Sequence, residues 1–379
     1  MDGTTKQMPR RSATPQTPEK YTPDARGQAV LAAIIKEHLV TGEAVGSLVL
    51  ADRFSPAHGW SSATIRNVMG ELEDAGLLEQ PHTSAGRVPT DKGYRYYVDH
   101  MLGEARLSRS DLRAIDSVFA PNRSEAGVSP ERLMERASHA LSELSENVGI
   151  VLSPSLAENR LNHIEFLKLS ENRILVVLVT ASSIVHNKII RIEDSLTQDE
   201  LERTGRYLNT EFSGKSLLTI RSEILELMKE EKALYDRLLR NAVLLCDRSL
   251  DGDASVGDLY VDGASNMLTK PDFLDVERMR DLFRTFEEKS RLVKILNECV
   301  SKEHPFRGDV NVVIGREHPT SSMRNCTLIT APYRIGVSEN LGTLGVVGPM
   351  RIEYSRIMAM VNYMARLIER RLNDESSLY

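Results

Sequence analysis

A capped amphipathic helix that runs straight into a glycine- and proline-punctuated turn constrains this chain more than any other feature. In "SSATIRNVMGELEDAGLLEQPHTSAGRVPT", Ser61–Thr90, the apolar residues Ile65, Val68, Met69, Leu72 and Ala75 recur at i, i+3, i+4, i+7 and i+10. That spacing predicts one buried stripe along a helix. Ser61 or Ser62 caps its start and Gly76 ends it. "LLEQ" then reads as a short strand, "PHTSAGRVP" as a turn, and Thr90 as the cap of a helix that buries Tyr94, Tyr97, Val98 and Met101. Upstream, Asp24 caps a helix with Leu31, Ile34, Ile35, His38 and Leu39 at helical spacing, and Gly42 stops it. Ser47 caps a short second helix, "LVLADRF", which Pro56 and Gly59 are expected to break. Three short helices, a strand, a turn and a returning element describe a winged helix-turn-helix. Trp60, just before the third helix, is expected to staple it to the core of this head.

Thr64, Arg66, Asn67 and Gly70 lie off the buried stripe. Arg and Asn carry the fork geometries that pair bidentately with guanine and adenine edges in the major groove. Ser61, Ser62 and Thr64 are suited to phosphate oxygens at the free N–H groups of a helix start. The acids Glu71, Glu73 and Asp74 all fall in the second half, away from the end that enters a groove. In the wing, Arg87, Lys92 and Arg95 outnumber Asp91, and His82, Ser84 and Arg87 are the candidates for a phosphate or the minor groove. The head is nonetheless acidic overall, with seven Lys/Arg against ten Asp/Glu in Tyr21–Gly103, and the whole chain carries −6. DNA affinity would rest on placed contacts and on pairing two heads, not on a broad basic field.

Beyond the head, a polar stretch holds a short helix and a linker. A helix in "PERLMERASHALSELSENVG" follows, and then the alternating strands "LNHIEFLKL", "ILVVLVTA" and "IVHNKIIRI", an antiparallel meander. From Ser195 the pattern turns helical. Thr197 and Glu200 stand at capping-box spacing, and a long leucine-rich segment runs on to Leu250. Strand signals return in "GDLYVDG". A helix over Val276–Cys299 comes next, then the strands "DVNVVIG", "CTLITAPYRI" and "GTLGVVG", and a last amphipathic helix over Glu353–Leu372. A sheet with flanking helices, split by a helical insertion, fits this order. The insertion's leucines and isoleucines make it a candidate dimer interface.

"TGEAVGS", the run from Ser61 to Asp99, and "GTLGVVGPMRIEYSRIMAMVNYMARLI" resemble the HrcA family, the bacterial heat-inducible transcription repressors. The resemblance runs in order over nearly the whole chain, by residue at both ends and by pattern in the middle. It implies an α+β multidomain chain, with an N-terminal winged helix-turn-helix and a GAF-like α/β domain split by a mainly helical dimerising insertion. The expected boundaries are a head at 21–103, a linker at 104–129, the GAF-like domain in two parts at 130–194 and 258–373, the insertion at 195–257, and a tail at 374–379. The resemblance further implies a homodimer that represses chaperone operons through an inverted-repeat operator, with the GroE chaperonin as modulator. Nothing transfers to residues 1–20, read as a disordered arm rich in Thr, Pro and basic residues.

Other classes find little support. "LGTLGVVGP" places Gly342, Gly345 and Gly348 three apart but lacks a Walker lysine and the GxGxxG spacing, so these are read as strand or hairpin glycines. No HExxH or Gly-x-Ser-x-Gly is present and the nine histidines are scattered, so neither a metal, a cofactor nor catalysis is expected. Cys246, Cys299 and Cys326 are far apart, which fits a reducing cytoplasm. No apolar run, Ile174–Val179 included, is long enough for a membrane span, and the N-terminus has no apolar signal core. The remaining alternative is a metabolite-responsive winged-helix regulator with a ligand in its GAF-like domain.

Overall fold

The computed structural model describes residues 22–83, 85–103, 106–120, 130–154, 160–170, 172–180, 185–192, 196–230, 236–250, 257–273, 275–301, 310–334 and 341–376. The arm at 1–20, Ser84, half of the tail and part of the expected linker lie outside them. The chain divides into two compact units, Met1–Tyr97 and Val98–Tyr379.

The first unit contains α1 (Ala25–Thr41), α2 (Ser47–His58), α3 (Ser62–Asp74), β1 (Leu78–Glu79) and β2 (Val88–Pro89), and α4 (Asp91–His100) begins in it. Asp24 caps α1 by accepting from Gly27 N at 2.7 Å, and Gly42 ends it in the left-handed region at φ 73°. Pro56 lies inside the last turn of α2 rather than ending it, so the expected break falls at Gly59, φ +65°. Val30, Leu31, Ile34, Ile35, Leu50, Ile65, Val68, Met69, Leu72 and Tyr94 form the buried set. Each large aliphatic side chain so buried contributes about 1.5–3 kcal/mol. The stripe read from the sequence is therefore the face that holds α3, and its other face is free for solvent or ligand.

In the second unit, α5 (Arg109–Val118) starts with a capping box between Ser108 and Asp111, and is a short helix of the kind expected in this polar stretch, inside the bounds given to the linker. It docks on α12 (Tyr354–Ser376) through Arg356 Nη2 to Asp111 Oδ1 at 2.9 Å and Tyr363 Oη to Asp116 Oδ1 at 2.9 Å. The strands β3 (Val148–Leu152), β7 (Leu259–Asp262), β8 (Asn311–Ile314), β9 (Cys326–Arg334) and β10 (Leu341–Pro349) form one antiparallel sheet in the order β7-β3-β10-β9-β8. Val148, Ile150 and Leu152 pack with Leu282 and Phe286 of α10 (Val276–Glu287) and with Leu292 and Leu296 of α11 (Lys289–Ser301). These two helices replace the single helix expected over Val276–Cys299, with Glu288 between them. On the opposite face Gly149 admits α6 (Pro130–Ser145), where a methyl group would lie 2.1 Å from Ser138 O.

The strands β4 (Leu161–Ser170), β5 (Arg173–Thr180) and β6 (Val185–Arg191) form a separate sheet. It packs on α7 (Gln198–Phe212), α8 (Leu217–Glu230) and α9 (Asp236–Leu250). Ile164, Phe166, Ile174, Val176, Leu178 and Ile190 meet Leu201, Leu208, Ile220, Ile224, Leu239 and Leu245 in one core. The α7 cap carries the capping box anticipated at Thr197 and Glu200. Asn209 of α7 accepts from Ile164 N at 2.8 Å and donates to Ile164 O at 3.0 Å, closing part of the β4 edge.

This arrangement changes where the insertion begins. Leu152 and Leu259 are direct register partners in β3 and β7, so all of 153–258 loops out from one end of that strand pair. Ser153 N donates to Asp258 O at 2.9 Å across the neck, and a methyl group at Gly257 would lie 2.2 Å from Ser153 O. The meander assigned from sequence to the GAF-like part thus belongs to the inserted unit, which pairs three strands with its three helices. Alternation reveals which face of a strand is buried; it does not say which sheet the strand joins.

Candidate nucleic-acid interface

Ser61 caps α3, accepting from Thr64 N at 3.2 Å, and its hydroxyl lies 3.0 Å from that of Thr64. The Ser62 hydroxyl lies 3.0 Å from that of Ser47, tying the first turn of α3 to the first turn of α2. These contacts fix the start of α3 while its open N–H groups and positive dipole end face outward. Arg66 and Asn67 are exposed on the face opposite the buried stripe. Neither side chain makes a hydrogen bond or ion pair among the described residues, so both are free to engage a ligand. Gly70 follows on the same side with open space around it. The acids Glu71, Glu73 and Asp74 sit at the far end, so charge along α3 runs from cationic to anionic.

The wing is held at its base. Val45 and Arg87 exchange backbone hydrogen bonds at 2.9 Å in both directions, adding Val45 beside β2. Gly86 permits this approach, because a methyl group there would lie 2.3 Å from Val45 O. Gln80 Nε2 donates to Thr83 O and Ala85 O, each at 3.0 Å, and closes the turn. His82 is exposed in that turn, while Ser84 lies outside the described residues.

Arg87 requires a correction. Its Nε donates to Glu73 Oε2 at 2.8 Å, and its side chain is only 19 % exposed. It is not a free cation at a wing tip; it locks the wing base against the distal half of α3. Glu73 lies 14 positions earlier, in another element, so no local pattern exposed the pairing. Sequence reasoning also passed over Arg26. Its guanidinium lies 5.5 Å over the Trp60 ring, and Trp60 immediately precedes the Ser61 cap. Trp60 in turn packs on Phe54, with ring centroids 5.0 Å apart. An exposed cation from α1 therefore stands beside the N-terminal start of α3.

Among the described residues no group of three or more His, Cys, Asp or Glu is gathered for a metal ion, and no helix is long and apolar enough to cross a membrane. Burial pushes the free thiols of Cys246 and Cys326 up to about 12, which leaves them unreactive near neutrality.

A helix-turn-helix with a two-stranded wing, joined to an α/β body, defines a winged-helix transcription regulator. Residues 131–358 match the family model described as the HrcA protein C terminal domain. The heat-inducible transcription repressor HrcA of Geobacter sulfurreducens is 41% identical over 352 residues, covering 92% of this chain and 98% of that protein. The repressor of the same name from Syntrophobacter fumaroxidans is 36% identical, covering 92% and 97%. The chain belongs to the HrcA family of heat-inducible transcription repressors. Its fold is also like that of a crystallised hypothetical protein, at TM-score 0.57 and 23% identity, covering 93% of this chain and 99% of that one.

Proposed function

We propose that this chain represses heat-shock chaperone operons by binding an inverted-repeat operator in double-stranded DNA as a homodimer, with the GroE chaperonin modulating its activity. One observation carries the DNA reading: the capped start of α3 presents Arg66 and Asn67 exposed and unengaged beside Ser61, Ser62 and Thr64. Arg66 and Asn67 read base edges, while the hydroxyls and helix N–H groups hold phosphates. His82 belongs to the wing's backbone contacts, and Arg87 keeps the wing in place. The reading places the protein in the cytoplasm.

The dimer reading draws on the inserted unit. Its helices bury their leucines against their own sheet, whereas the outer face of that sheet carries an apolar patch beside Glu165 and Asn187. Leu167, Leu169, Val185 and Ile189 are 38–57% exposed there, and Leu167, Leu175 and Ile189 stand in register across the three strands. A second copy of this face covers such a patch by two-fold symmetry, which also matches an inverted-repeat DNA site. An unfolded or monomeric chain exposes this surface, which gives a chaperonin something to hold. The metabolite-responsive alternative gains nothing from the five-stranded sheet, where Tyr333, Tyr354 and Met360 are fully buried among its packed side chains.

DNA footprinting of the purified protein on its own host's chaperone promoters tests the assignment. Two protected half-sites related by a dyad are expected. Uniform, sequence-independent protection would refute it.

A further inference from the structure

Seven cations against ten anions in 21–103 leave the head acidic, so the placement of each cation matters. Two are spent within the fold: Arg53 lies 3.7 Å from Glu37, and Arg87 lies 2.8 Å from Glu73. Arg26 is exposed and makes no hydrogen bond or ion pair among the described residues. Its guanidinium is held over the Trp60 ring instead, 5.5 Å from the centroid. Trp60 is braced on Phe54 of α2 at 5.0 Å and adjoins the Ser61 cap of α3. An aromatic face restrains a guanidinium while leaving N–H donors for an anion.

Helix stability does not call for a cation at this place. Arg26 is the second residue of α1, where the positive end of the helix dipole disfavours it. The Asp24 cap turns its carboxylate to Gly27 N at 2.7 Å. The first turns of α1, α2 and α3 contain no acid, in a head that has ten. The first turns of α2 and α3 lie together, with the Ser47 and Ser62 hydroxyls 3.0 Å apart. Positive potential is thus concentrated around the start of α3, and Glu71, Glu73 and Asp74 lie at its other end. A recognition helix enters a groove with its N-terminal residues. A cation beside that start, carried by another helix, faces the sugar-phosphate wall rather than the base edges.

We propose that Arg26 is a DNA contact, a cation that Trp60 aims at a backbone phosphate beside the groove that α3 enters. The proposal rests on the DNA-binding reading above and deepens it. Arg26 adds affinity without sequence preference, and the Arg66 face adds the preference. Trp60 acts through Arg26, as a positioning residue.

The test compares the full chain with Arg26→Gln, Arg26→Lys, Trp60→Phe and, as a control for net charge, Arg53→Gln. Each is titrated against a chaperone-promoter duplex and a random duplex of equal length, from roughly 50 to 200 mM salt. Arg26→Gln should reduce the slope of log affinity on log salt by about 0.9 for each head engaged. This roughly fourfold rise in salt should then cost it about 3.5-fold less per head than the parent. Its affinity for both duplexes should fall by the same factor, about tenfold per head at the lowest salt. Its melting temperature should be unchanged or raised. Arg26→Lys should keep the parent slope but bind both duplexes more weakly, because an ammonium lacks the stacked fork. Trp60→Phe should do the same, through a weaker ring. Parent slope and affinity in Arg26→Gln would overturn the proposal. So would an equal loss of slope in Arg53→Gln, which would make net charge the cause. A lowered melting temperature with an unchanged slope would make Arg26 a strut between α1 and Trp60, and would overturn it too. If the parent bound the promoter no better than random DNA while Arg26→Gln still reduced the slope, the repressor reading would fail and the contact would stand. If the parent bound neither duplex, both would fall.

Discussion

Arg66 and Arg87 carry the same charge and differ in everything around it. Arg66 is exposed and unengaged at the start of α3, while Arg87 is half-buried on Glu73. Arg66→Ala and Asn67→Ala should each cut discrimination between operator and random DNA by about 1–3 kcal/mol, one lost bidentate contact apiece. Arg87→Ala should leave the salt slope unchanged and act through the wing's position, so Glu73→Ala should reproduce its effect. Competition titrations over a range of salt concentrations separate the two outcomes; an unchanged ratio for Arg66→Ala would mean that another face of α3 reads DNA. A second residue-scale prediction concerns Asp111. The Arg356 guanidinium and the Ser108 hydroxyl hold its carboxyl down at about 2. A depressed carboxylate stabilises the fold fully above its unfolded value of about 3.9. That stabilisation is lost as pH falls through about 4 towards about 2. Asp111→Asn should therefore flatten this part of the acid-unfolding curve, measured by circular dichroism; an acid limb of the same steepness would show that the pair contributes nothing. Caps such as Asp24, Ser61 and Thr197 were legible in the sequence because each cap and its N–H partner lie within three positions. The pairs Arg87–Glu73 and Asp111–Arg356 were not, since opposite charges separated in sequence carry no local signature.

Strand β10 shows what glycine does at the scale of an element. "LGTLGVVGP" was read as strand or hairpin glycines, and a strand is what forms, over Leu341–Pro349. Gly342 faces Tyr333 across the ladder, and a methyl group there would lie 2.2 Å from the Tyr333 ring. That ring is fully buried, and its hydroxyl donates to Leu152 O at 3.1 Å, tying β9 to β3 across β10. The empty space above Gly342 is the seat of the tyrosine. Gly342→Ala should destabilise the fold by about 1–3 kcal/mol through overpacking, and Tyr333→Leu in the same chain should recover part of that loss. Denaturant unfolding of the two single variants and the double variant measures the coupling; strict additivity would show that the ring is not what the glycine accommodates. Element type was largely readable, because periods of two and of 3.6 residues are local properties. Element membership was not. Nothing within "LNHIEFLKL" records that its neighbours are β5 and α7 rather than β3, because the partners are chosen by the neck at Leu152 and Leu259.

At the scale of the molecule, the unpaired apolar face of the β4-β5-β6 sheet and the weak charge of the head point to one design. Neither head need bind strongly alone if two are held together, because the second contact becomes intramolecular and raises avidity about 10²–10⁴-fold when the spacing suits both. The row Leu167–Leu175–Ile189, exposed at both ends, is where the pairing should be breakable without harm to the fold, since Ile189 is 57% exposed and takes no part in the core beneath. Ile189→Glu places one charge in each copy of a symmetric patch, so the two-fold axis doubles the cost. The variant should melt like the parent chain yet sediment as a monomer. It should bind an intact operator about as poorly as the parent binds one with half the repeat scrambled, and scrambling should then cost it little more. A variant that stays dimeric by light scattering would move the interface elsewhere. A monomer that keeps full affinity for the intact operator would show that a single acidic head suffices, and that its charge is no handicap.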